Sequence, residues 1–326
     1  YSIAERFIPK TTPKFVEKST VEYLYYMKFI LALAGQKNVK TVSVKFTDGN
    51  KDKIEKIDLG KHKYYPLLKR YDFKQKILKD NIGYIAFNRH MGNSKKFIST
   101  LHKAMQKVRK TKSLIIDIRG NGGGSREPLL ALLPYFIKKP VVANVARYRV
   151  DDVTDIHPKN GYLAHRFSYP ETYTGFSNKE RDAIKEFKTF FNPIRILSIK
   201  KYTDYHYMLV SPTPDNGTYY YDKEVLVLVD QGCFSASDIF AAGIRLGDKV
   251  RLLGNRTGGG SGASEKKYLP NSNIKVKLSS MFSYQPNGLT YDSNGVMPDY
   301  NVDYTLDDSM GKTDTQLDKA KAIFKK

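Results

Sequence analysis

SLIIDIRGNGGG, residues 113–124, carries a strand-length apolar run straight into a cluster of glycines. The apolar residues are consecutive and do not alternate with polar ones. A strand of that kind is buried on both faces, which is the condition of a parallel sheet covered by helices. Two further segments have the same character: IGYIAF (82–87) and VLVLVD (225–230). Between the first two, Phe97, Leu101, Met105 and Val108 recur at helical spacing, so 94–110 is predicted as an amphipathic helix. Residues 125–137 are predicted helical, with Pro128 tolerated in the first turn. A third helix is expected over 236–246. Strand, helix, strand, glycine loop, helix is the rhythm of an α/β domain with mainly parallel pairing.

The flanks read differently. VEYLYYMKFILALAG (21–35) is helix-like and stops at Gly35. VKTVSVKFTDGNKDKIEKIDL (39–59) alternates around Asp48-Gly49, a hairpin signal, with Val42, Val44 and Phe46 on one face. Residues 1–76 therefore read as a small α+β module and 77–326 as the main domain. Within the latter, 147–220 is rich in Tyr, Lys, Asp and Pro and breaks the rhythm, as an inserted subdomain or lid would.

The chain has 326 residues, of which 40% are hydrophobic, enough for a sizeable core. No apolar run approaches the length of a transmembrane helix. The opening YSIAERFIPK is neither a signal peptide nor a start-methionine sequence, and suggests a processed or trimmed form. Cys233 is the single cysteine, which excludes an internal disulfide framework and a cysteine-rich zinc site. The net charge of +22 raises the question of a polyanion partner. The lysines are scattered, and no zinc-finger or RNA-binding signature is present, so a generally basic surface is the expectation and no specific nucleic acid is expected.

Ligands of α/β sheets gather at the carboxyl ends of the parallel strands. Two loops of interest fall there. In Asp117–Gly124 the glycines let a substrate carbonyl approach backbone N–H groups, which can form an oxyanion hole. A tight turn is the plainer reading, and a Walker-type loop lacks its GK[ST] ending. In Asp230–Asp238 a serine sits between a buried strand and a helix, where the helix N-terminus favours developing negative charge. Ser235 or Ser237 as a simple helix cap is the alternative.

Together these loops resemble the S41 family of serine peptidases, the family of the carboxyl-terminal processing proteases and the tricorn core. DIRGNGGG is similar to the family's D-[LV]-R-x-N-x-G-G. VLVDQGCFSASD is similar to V-L-[VI]-[DN]-x-x-[ST]-A-S-A-[SA]-E. LLGNRTGGGSG and NGVMPDY match the two later motifs, in family order. The closing TDTQLDKAKAIFKK also resembles the family's ending. The resemblance implies a ClpP/crotonase-like α/β core with a partial PDZ-like N-terminal module at 1–76. It implies a hydrolase acting on polypeptides without cofactor or metal, with Ser235 as nucleophile and Gly122, Gly123 and Ala236 at the oxyanion hole. The Ser235 hydroxyl is expected within about 5 Å of the Gly122–Gly123 backbone. Asp117 and Arg119 are expected to support the loop structurally. By the same resemblance, a periplasmic or envelope-attached location is expected.

The general base is the departure. Carboxyl-terminal processing proteases use the lysine of a G-K-G third motif, and Gly260 stands in that place. Lys266 and Lys267 lie nearby but do not align. The tricorn-like branch uses a histidine from upstream of the PDZ-like region, with an acidic residue before the last motif, where Asp292 falls. No Asp-Gly-His stretch is present. His90 is the best internal candidate. A catalytically silent peptide-binding relative is therefore the alternative to an active peptidase, and a polyanion-binding protein is a third.

Overall fold

The computed structural model describes residues 11–23, 27–36, 39–47, 52–59, 72–88, 91–150, 166–197, 201–214, 217–309 and 311–325. Its centre is a six-stranded sheet. In chain order its strands are β3 (Lys74–Leu78), β4 (Ile82–Ala86), β5 (Ser113–Asp117), β9 (Val225–Val229), β10 (Val250–Gly254) and β14 (Tyr300–Asn301). They lie side by side as β14-β10-β9-β5-β4-β3. All pairs are parallel except the edge pair β3–β4.

The consecutive apolar runs are explained by the two faces of this sheet. Ile85, Leu114, Ile116, Val225, Val227 and Val229 enter the large core on one face. Their neighbours Tyr84, Ala86, Ile115, Leu226 and Leu228 enter a second cluster on the other. Adjacent strand residues point to opposite faces, so both must be apolar when both are covered. Each fully buried aliphatic side chain contributes about 1.5–3 kcal/mol.

The large core is covered by α3 (Lys95–Val108), α4 (Glu127–Leu132) and α6 (Ala236–Ile244). Ser94 caps α3 by accepting from the Phe97 N–H, and Leu101, Ala104, Met105 and Val108 form its buried face. The helix expected over 125–137 is shorter, because Pro134 lies in a tighter 3-10 turn, Leu133–Tyr135. The opposite face is covered by the C-terminal α8 (Thr315–Ile323), through Leu317, Ala320 and Ile323.

A second, antiparallel sheet flanks the first, in the order β13 (Met281–Tyr284), β6 (Val141–Tyr148), β8 (His206–Val210), β7 (Tyr169–Pro170). Helix α5 (Asn178–Phe190) seals it with Ile184 and Phe187, and opens with a Ser177/Glu180 capping box. The described part of 147–220 thus supplies strands and a helix to a sheet that also draws on β6 and β13.

At the N-terminus the helix-like stretch is described as α1 (Pro13–Tyr23) and α2 (Met27–Leu33). Strands β1 (Thr41–Thr47) and β2 (Asp52–Asp58) pair antiparallel, as the alternation predicts; Asp48-Gly49 lies outside the described residues. A further ribbon, β11 (Ser264–Tyr268) with β12 (Lys275–Ser279), follows the third motif. A short helix, α7 (Leu306–Ser309), precedes α8.

Candidate active site

The parallel strands end nearly level. Ala86 pairs with Asp117, Asp117 with Leu228, and Val229 with Gly254. The loops that carry the first three motifs therefore leave the sheet along one edge. Below them lies a buried charge clamp. Arg119 donates to Asp117 through Nε (3.0 Å) and Nη2 (2.7 Å), and to Asp314 through Nη1 (2.7 Å) and Nη2 (2.9 Å). Asp314 also caps α8, accepting from the Leu317 N–H. Asp230, at the end of β9, accepts from the N–H groups of Gly120 (2.7 Å) and Gly232 (2.9 Å) and from the Tyr304 hydroxyl. The expected supporting pair Asp117 and Arg119 is buried, and it ties the glycine loop to the C-terminal helix.

Above the clamp the glycine loop and the serine turn touch. A methyl group on Gly123 would come within 2.8 Å of Ser235 Cβ and 2.9 Å of the Ala236 nitrogen. Only a residue without Cβ permits this approach, and Gly123 has φ +101°. Asn121 pins both sides. Its Oδ1 accepts from the Gly123 N–H (2.9 Å) and from the Ser237 hydroxyl (2.8 Å), while its backbone carbonyl accepts from Phe234.

Ser235 has φ 60° and ψ −117°, a strained conformation for a non-glycine residue that costs of order 1–3 kcal/mol. Its side chain is half-exposed and makes no capping bond to α6. The capping alternative thus fails for Ser235, and Ser237 is turned to Asn121 instead. A serine held on a sharp strand-to-helix turn is the arrangement of a nucleophile elbow. One member of the expected oxyanion set meets a competing contact. An N–H has one hydrogen, and that of Gly123 is already given to Asn121. The N–H groups of Gly122 and Ala236 have no partner among the described residues.

The third motif packs beneath the turn. Asp238, in the first turn of α6 and fully buried, accepts from the Thr257 hydroxyl (2.5 Å) and from the N–H groups of Gly259 (3.0 Å) and Gly260 (3.1 Å). Burial pushes its pKa up to about 7, against the pull of these hydrogen bonds. Thr257 Oγ1 in turn accepts from the Val296 N–H, which brings in the fourth motif. Asp292 sits at the tip of that turn. Water reaches its side chain, and the packed backbone around the carboxyl still raises its pKa by desolvation.

The place of the family's lysine is physically filled. Any side chain on Gly260 would run into the Phe234 ring. The quoted pattern has alanine before the nucleophile, where this chain has Phe234, so the two departures are linked by one contact. Phe234 also stacks on Phe15 of α1, with ring centroids 4.7 Å apart. Thr11 and Thr12 hydrogen-bond to the carbonyls of residues 257–259, so the N-terminal segment is docked on the same loop. Lys266 is exposed and Lys267 half-buried on the β11–β12 ribbon, and His90 lies outside the described residues. Among the described residues no group of three His, Cys, Asp or Glu is placed to hold a metal ion.

Asn121, Phe234 and Asp238 were missed by sequence reasoning. Asn121 and Asp238 stood inside the quoted motifs, but only the folded loops reveal what they bind.

Comparison with known proteins agrees with the fold. The model of peptidase family S41 matches residues 81–302. A probable CtpA-like serine protease of Staphylococcus haemolyticus is 22% identical over 275 residues, covering 84% of this chain and 42% of its own. An uncharacterized Chlamydia muridarum protein is 26% identical over 220 residues, covering 61% of this chain and 35% of its own. The chain thus spans less than half the length of these curated relatives. Among solved structures, a candidate peptidase from Parabacteroides merdae has TM-score 0.54 at 19% identity, covering 99% of this chain and 88% of that one. Mature CPAF complexed with lactacystin has TM-score 0.55 at 14% identity, covering 89% and 68%. At these identities the structures establish a shared fold.

Proposed function

The chain belongs to peptidase family S41, and from that premise we propose that it is the core of a serine endopeptidase in which Ser235 attacks the substrate carbonyl. The observation that carries this reading is the contact of Gly123 with the strained Ser235 turn, which puts a nucleophile and unspent backbone donors side by side. The Ser235 hydroxyl forms the tetrahedral adduct. The Ala236 N–H, at the start of α6, and the Gly122 N–H stabilise the oxyanion, with the helix dipole adding to the field. Asn121 holds Gly123 against the turn. Asp238 fixes the third-motif loop under the nucleophile.

The proton from Ser235 goes to a base outside the arrangement described. The Phe234 ring excludes a lysine at 260, which favours a histidine delivered from elsewhere, with Asp292 as its acidic neighbour. The docking of Thr11 and Thr12 on the third-motif loop supports delivery from the N-terminal side. The helices and hairpin of 13–58 are consistent with a partial PDZ-like module, and the core with a ClpP/crotonase-like fold. A location in the periplasm or on the cell envelope belongs to the same proposal. Among the described residues no helix is long and apolar enough to cross a membrane.

The test compares this chain with a longer one carrying upstream sequence, using an unfolded protein as substrate and a fluorophosphonate to label Ser235. The longer chain is expected to cleave and to be labelled, and its Ser235→Ala version to do neither. A longer chain that binds peptide but is inert would make this a silent binding protein. If the present chain cleaves well alone, the base is internal, and His90→Ala becomes the deciding variant.

A further inference from the structure

The glycine loop borders open space beyond the Ser235 turn. A cavity of about 500 Å³ begins at Gly124, next to Gly123, and is bounded by Met91, Ser125, Arg126, Arg166 and Phe167. A second cavity, of about 730 Å³, lies along α3 and α4. Asn93 and Glu127 line both, so the two adjoin along a trough that starts one residue from Gly123, the glycine that packs on the Ser235 turn.

The wall of the second part is a single helix face. Lys95, Ile98, Ser99, His102, Lys103 and Gln106 follow one another at i, i+3, i+4, i+7, i+8 and i+11 on α3. The other face of α3 is already spent on the core. Leu130 and Ala131 of α4 and Thr213 complete the lining. The eleven steps from Lys95 to Gln106 make about 16 Å at ~1.5 Å per helical residue, the span of about five residues of extended chain at ~3.3 Å each.

Two features of the trough ask for a ligand of particular chemistry. Glu127 Oε2 is buried at the junction with no hydrogen-bond partner among the described residues. A buried acceptor of this kind is normally satisfied, and an extended polypeptide brings a backbone N–H to one side at every second residue. Lys95 and Lys103 line the trough without an acidic partner among the described residues. They are eight residues apart, about 12 Å along the helix. Side chains on one side of an extended chain, four residues apart, are separated by about 13 Å.

We propose that this trough binds the extended segment of a polypeptide substrate next to the scissile bond, and that it selects segments with acidic side chains four residues apart, set against Lys95 and Lys103. The proposal rests on the peptidase reading for what the bound segment is, but its test does not require turnover. A labelled ten-residue peptide with glutamates at two positions four apart is titrated against the Ser235→Ala protein by fluorescence anisotropy. The double variant Lys95→Glu/Lys103→Glu should weaken binding about tenfold, and should recover it for the peptide with lysines at those positions. Ser99→Trp, which fills the trough without changing charge, should weaken both peptides. With Ser235 restored in the longer chain, the fluorophosphonate labelling rate should stay within about twofold of that parent for all variants, since none touches the nucleophile.

The proposal is overturned if the parent does not bind the acidic peptide, or if the variants bind it as the parent does. If binding follows the trough while the parent's Ser235 resists labelling, even in the longer chain, the peptidase reading falls and the peptide site stands.

Discussion

The clamp under the glycine loop and the turn above it are built on opposite principles. In the clamp, Arg119 meets two carboxylates through two-pronged hydrogen bonds, and Asp230 accepts from two amides and a phenol. At the turn, a few residues away, Ser235 has a backbone conformation few serines adopt, and two N–H groups have no partner among the described residues. The difference teaches where rigidity is invested. A strained residue persists only when its surroundings over-determine it. Here Asn121, Asp230 and Asp238 hold the loops around the serine, and the serine hydroxyl itself has no hydrogen-bond partner among the described residues.

If that division is right, the two regions respond differently to substitution. Ser235→Ala is expected to remove cleavage by a factor of at least ~10³, with the melting temperature essentially unchanged, because the hydroxyl neither caps the helix nor finds another partner among the described residues. Paired cleavage and melting measurements check it. A substantial loss of stability would mean that the hydroxyl also serves the fold.

Arg119→Ala should instead act through the fold. It strands buried Asp117 and partly buried Asp314, and should cost about 3–5 kcal/mol, with activity falling alongside. Denaturant titration gives the cost. Activity lost at unchanged stability would move Arg119 from scaffold to substrate binding and erase the contrast.

Gly260→Lys tests the seam between the regions. Its side chain collides with the Phe234 ring, so it should cost about 1–3 kcal/mol and gain no activity. Adding Phe234→Ala should recover part of that loss. Equal melting points for the single and double variants would show that the ring does not fill the lysine's place.

The smallest effect concerns pH. Asp238 has a folded pKa of about 7, above its unfolded value, so the folded state holds the proton more tightly than the unfolded state does. Its contribution to stability is fully present below about pH 4 and is lost as pH rises through about 7. In Asp238→Asn this part of the pH dependence should vanish, leaving a flatter melting curve over that window. An unchanged slope would assign the titration to another group.

Much of this was legible in the chain itself. Ile85, Ile115 and Val227 lie in runs whose consecutive apolar residues can be buried only between two covering layers, and that fixes strands, helices and parallel pairing from local chemistry. The four motifs single out Ser235 and Gly123 through the family resemblance that they carry together. What the chain could not disclose are contacts between residues distant in sequence. Ser237 giving its hydroxyl hydrogen to Asn121 depends on how the two loops meet. Phe234 over Gly260, Phe15 on Phe234, and Arg119 reaching Asp314 each join segments whose separation says nothing of their distance. Periodicity and motif chemistry act within a few residues. Hydrogen-bond partners and filled space are settled only when the strand ends bring their loops to one edge.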